Sequence, residues 1–130
     1  MKPVNQTKLH NPPHSMGNCF EACVASILEL PIGKMPKVSG SEAGWWFRMV
    51  RAVNKLGYRI EYFTAKQQKP PRNRFYIMGG MSPRGNFRHA VVAKNGKMVH
   101  DPYPSRDGIK GKPIDYFLIR KIRIKSRKLK

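Results

Sequence analysis

Asn95-Gly96 stands between two short runs, His89-Ala90-Val91-Val92-Ala93-Lys94 and Lys97-Met98-Val99-His100-Asp101, and it constrains the fold more than any other feature of the chain. Asn and Gly both accept the positive φ that a two-residue type I′ turn demands, so the runs fold back on each other as an antiparallel hairpin. Lys94 then pairs with Lys97, and residues near Ala90 fall opposite His100 or Asp101. His89 and Asp101 arrive at the same end of the ribbon.

The rest of the chain supplies further strands and two helices. Tyr58-Arg59-Ile60-Glu61-Tyr62-Phe63 alternates apolar with charged residues and predicts a strand. Phe75-Tyr76-Ile77-Met78 predicts a second, and the segment from Ile114 to Ile124 predicts one long strand or two short ones. Between the second strand and the hairpin, Gly79-Gly80-Met81-Ser82-Pro83-Arg84-Gly85-Asn86 reads as a flexible polar connection. A phosphate cradle fits it poorly, because no lysine-serine or lysine-threonine pair follows and no helix opens after it.

Gly17-Asn18 reads as a turn feeding an apolar helix that begins at Cys19 and stops near Leu30, ahead of Pro31 and Gly33. On that helix Cys19, Cys23, Ser26 and Ile27 share one stripe, with Ala22, Ala25 and Leu28 beside it. After a loop over 31–40, residues 41–57 predict a second helix, with Ser39 or Ser41 as cap, apolar positions at 46, 49, 50, 53 and 56, and Gly57 as its stop. Trp45, Trp46 and Phe47 read as core, with a substrate cleft as the alternative. Residues 1–16 hold Pro3, Pro12 and Pro13 and predict an extended or looped arm. The expected fold class is α+β, an N-terminal helix packed on an antiparallel sheet, as a single domain over 1–124 followed by a basic tail at 125–130.

Lys and Arg number 26 against 7 Asp and Glu, a formal net charge of +19 on 130 residues. Such a charge attracts polyanions at long range, so nucleic acid and acidic proteins are candidate partners, although it says nothing about fold. No recognised nucleic-acid-binding motif accompanies it. Part of the excess lies in the 66–74 connection and in the run from Arg120 to Lys130. No run approaches the roughly 18 apolar residues needed to cross a bilayer, and no signal-peptide stretch follows Met1, so the expectation is a cytoplasmic protein without membrane contact. The two cysteines, at i and i+4 of one helix, are poorly placed to bond each other and read as free thiols. Cys19 and Cys23 with His10 and His14 match no common zinc spacing, and no metal or other cofactor is expected.

A cysteine at a helix N-terminus lies where the helix dipole favours a thiolate, which makes Cys19 the candidate nucleophile. The helix by itself equally suits a small core residue at that position. A histidine opening a strand and an aspartate brought beside it by a hairpin complete the set for thiol-based acyl transfer: His89 takes the thiol proton and Asp101 orients the imidazole. His100 is the rival base, but alternation points it away from the face of Asp101. The bland readings are a satisfied hairpin histidine at 89 and a turn-former before Pro102 at 101.

The order Cys, His, Asp, together with the words Gln6, Cys19-x-x-x-Cys23, His89-Ala90-Val91-Val92 and Asp101-Pro102, resembles the papain-like superfamily. Within it the chain is most similar to the peptidase domains that process double-glycine leaders of bacteriocins and to their small phage and bacterial relatives. The resemblance covers roughly 4–30 and 88–104. It implies a papain-like fold, a cysteine peptidase acting on a protein or peptide substrate, and Gln6 as oxyanion donor. Deamidation and transglutamination are adjacent outcomes of the same thioacyl intermediate. The chain departs from that group in having Phe20 after the cysteine, where glycine is usual, and Gln6 further upstream. A catalytically silent binding module for nucleic acid or an acidic protein is the alternative of a different class.

Overall fold

The structure is a computed structural model that describes residues 1–11, 15–35 and 44–123. A short ribbon, β1 (His10–Asn11) with β2 (Ser15–Met16), belongs to the N-terminal arm. Then follow α1 (Cys19–Leu28), α2 (Trp45–Lys55), β3 (Tyr58–Thr64), β4 (Phe75–Met81), β5 (Arg88–Lys94), β6 (Lys97–His100) and β7 (Lys110–Lys121). The last five strands form one antiparallel sheet in the order β3-β7-β4-β5-β6, with α1 packed on β5 and β4 and α2 on β3. The α+β expectation therefore holds at the level of layers. No helix is long and apolar enough to cross a membrane among the described residues.

Alternation along the strands builds two apolar clusters. Phe20, Cys23 and Val24 of α1 and Met49 and Val53 of α2 join Ile77, Val92 and Phe117. The neighbours of those strand residues, Met78, Val91 and Leu118, pack on the other face with Tyr76 and Tyr116.

α1 ends at Leu28, short of the Leu30 expected, because Glu29 takes a left-handed cap conformation (φ 59°) and Leu30 N–H turns back to Ala25 O. α2 follows Gly44 (φ 88°); the expected serine caps at 39 and 41 lie outside the described residues, as does the tail 125–130. Trp45 and Trp46 are partly buried against the core, whereas Phe47 is 74% exposed and does not belong to it.

The connection expected from Gly79 does not begin there. Gly79, Gly80 and Met81 continue β4, and the glycines serve close approach: a Cβ at 79 would come within 2.2 Å of Asp115 Oδ1, and one at 80 within 2.8 Å of Ile109 Cδ1. β7 is one strand and starts earlier than expected, at Lys110. Lys94 pairs with Lys97 through the Asn95-Gly96 turn, both residues at positive φ, but a register shift places His100 opposite Val92 rather than near Ala90.

Candidate active site

Three elements converge at the end of the sheet: the tip of α1 carries Cys19, the start of β5 carries His89, and the chain leaving β6 carries Asp101. His89 Nε2 lies 2.7 Å from Asp101 Oδ1, and both side chains are buried. The Asp101 carboxylate also accepts backbone N–H groups from Tyr103 at 2.9 Å and Gly108 at 2.7 Å, while Arg106 donates to its backbone carbonyl. A carboxylate held by that many donors has one orientation. Cys19 is a near neighbour of His89, and its side chain favours the charged imidazole. With Nε2 donating to the carboxylate, Nδ1 is the nitrogen left for the thiol, and in a neutral imidazole it is the proton acceptor.

The electrostatics follow from this arrangement. Burial works against the imidazolium of His89, but the hydrogen bond to Asp101 and the neighbouring Cys19 outweigh it and raise the pKa to about 9. Burial likewise favours the neutral acid at Asp101, yet His89 and the Tyr103 and Gly108 N–H groups hold it below its ordinary value. Cys23, one turn along, is wholly buried, and burial pushes its thiol well up, with Cys19 adding to the effect. Cys19 itself is only partly buried.

Asn18, at the cap position of α1, makes no side-chain cap. Its Oδ1 instead accepts the N–H groups of Thr7 and Lys8, both at 3.0 Å, and its Nδ2 donates to Thr7 Oγ1, so the arm is clamped to the helix tip. Gln6 sits inside this clamp. Its backbone N–H donates to Pro102 O at 3.0 Å, and its Nε2 donates to Lys8 O, the same oxygen that accepts Asn18 N–H. Gln6 Oε1 is buried with no hydrogen-bond partner among the described residues. The arm thus ties Gln6 to the aspartate loop on one side and to the cysteine helix on the other.

His100 is occupied elsewhere, with Nε2 2.8 Å from Val4 O. His10 stacks on Phe87 at 3.8 Å between ring centroids, and His14 lies outside the described residues. No local pattern singles out Tyr103, which closes over His89 edge to face at 6.3 Å and carries Arg84 on its ring at 3.3 Å. Asn18 was visible only as part of a turn. Glu21, buried on α1, left no signal in the apolar stripe.

Comparisons with family models, with curated proteins and with solved structures give no match to this chain.

Proposed function

We propose that the chain is a cysteine-dependent hydrolase or acyltransferase of papain-like architecture, acting on a peptide or amide bond. The observation that carries this reading is the buried His89–Asp101 hydrogen bond, with Cys19 at a helix tip as the neighbour of the imidazole. His89, with its raised pKa, already holds the thiol proton on Nδ1 when the sulfur attacks the carbonyl carbon, and Asp101 stabilises that imidazolium. The C=O electron pair moves onto oxygen. A carboxamide nitrogen carries a pair of N–H groups, and Gln6, with one of them on Lys8 O, offers the other to that oxyanion. Collapse of the intermediate breaks the C–N bond, and His89 returns the proton to the leaving amine. A thioester on Cys19 remains. Water, deprotonated by His89, releases the acid; an amine in its place gives transfer. Because the nucleophile is a free thiol, the working compartment is a reducing one.

The test is turnover of a peptide library followed by mass spectrometry, with Cys19→Ala and His89→Ala beside the wild type. Each variant should lose cleavage or transfer by several orders of magnitude, and a trapped thioacyl adduct should map to Cys19. Retention of the activity in Cys19→Ala would overturn the reading.

A further inference from the structure

Arg88 immediately precedes the proposed base. Its Nη2 donates at 2.6 Å to Oδ2 of Asp115, a carboxylate whose side chain is only 5% exposed, and Tyr62 Oη donates to the same oxygen at 3.1 Å. A carboxylate is costly to bury unless it is paired, so the ion pair needs an explanation beyond stability. The room for it is built into the sheet: Gly79, across from Asp115 on β4, has no side chain where a Cβ would strike Asp115 Oδ1. The effect is to hold a guanidinium in one place while 52% of the arginine side chain stays exposed. Ring contacts link α1 to the same face of the sheet. Phe20, next to Cys19, meets Phe117 at 4.9 Å, and Phe117 meets Tyr62 at 5.0 Å. Phe20 and Phe117 are buried beneath this face, and Tyr62, half exposed, shares the Asp115 oxygen with Arg88.

We propose that Arg88 determines specificity by receiving a substrate carboxylate, an acidic side chain within a residue or two of the reacting carbonyl. This deepens the thiol acyl-transfer reading and rests on it. Asp115 engages one N–H of a planar, forked donor group, and the outward N–H groups match a carboxylate. The net charge of +19 favours an anion there and disfavours a cationic side chain, which would also have to displace Arg88 from Asp115.

The experiment uses acetylated peptidyl chloromethyl ketones with Glu or Gln at the first or second residue from the electrophile. Cys19 forms the C–S bond as C–Cl breaks, chloride leaves and the thiol proton is held by His89, and the adduct is timed by mass spectrometry. Each rate is divided by that of iodoacetamide on the same variant. The Glu probes should label the wild type about tenfold or more faster than the Gln probes, the size of a charge-assisted hydrogen bond, and Arg88→Gln should bring the ratio to about one. Arg88→Gln strands the buried Asp115, so Arg88→Gln/Asp115→Asn, which removes both charges, must give the same collapse. A ratio near one in the wild type, or a preference that survives loss of Arg88, overturns the proposal. Failure of the catalytic reading looks different: iodoacetamide would then label Cys19 no faster than Cys23.

Discussion

Cys19 and Cys23 stand one helical turn apart and occupy different environments. Cys19 has the helix tip and the His89 imidazole beside it, whereas Cys23 is sealed in the core, where burial raises its thiol pKa. Iodoacetamide at neutral pH should therefore alkylate Cys19 far faster than Cys23, read by peptide mapping, and equal rates would remove Cys19 as nucleophile. The His89–Asp101 pair makes a second prediction. The folded pKa of His89 is raised from 6.5 to about 9, so its stabilisation is full below 6.5 and is lost as pH climbs to about 9. Asp101 is lowered from 3.8, so its share is present above 3.8 and is lost as pH falls through its native value. The pair contributes most between these limits. The stability gap between wild type and His89→Gln, measured by urea unfolding, should shrink between pH 6.5 and 9 by on the order of 2 kcal/mol. A pH-independent gap would mean that the imidazolium is not what Asp101 stabilises.

Among the elements, the N-terminal arm and β4 depart furthest from ordinary roles. Asn18 gives up capping α1 to hold Thr7 and Lys8, and with them Gln6. Asn18→Ala should loosen the arm at a cost of about 1 kcal/mol. It should also lower kcat, by less than the roughly hundredfold expected for removing the proposed oxyanion donor through Gln6→Ala. An unchanged kcat in both variants would take Gln6 out of the mechanism. In β4 the decisive residue is Gly79. Gly79→Ala forces a Cβ onto Asp115 Oδ1 and should destabilise the protein by about 1–3 kcal/mol, and much of that loss should vanish in an Asp115→Ala background. Denaturant midpoints of the four variants form the cycle.

At the scale of the whole molecule, the charge of +19 acts through its field rather than through any one contact. Capture of an acidic peptide should slow as salt rises, because screening shortens the reach of that field, while kcat stays nearly level once the peptide is bound. Stopped-flow association at several ionic strengths separates the two. Binding of a generic oligonucleotide at low salt, falling linearly on a log–log plot and indifferent to Cys19→Ala, would show that the same field also serves nucleic acid.

Asn95-Gly96 was legible because turn chemistry is local: residues that tolerate positive φ, set between alternating runs, leave few other folds for that stretch, and His89 and Asp101 come together as a consequence. The start of α1 at Cys19 and the existence of α2 and β3 were readable for the same reason, since period and cap are written residue by residue. Gly79-Gly80 misled, because glycine in a loop and glycine under a neighbouring side chain look alike until the partner strand is known. Asp115 lies dozens of residues away on β7, and only the order β3-β7-β4-β5-β6 brings it over Gly79. The approach of Cys19 to His89 and the hold of Asp115 on Arg88 belong to that same class. Each joins segments remote in the chain, and no local preference of either segment specifies the meeting. Strand order and the packing of α1 on the sheet decide it.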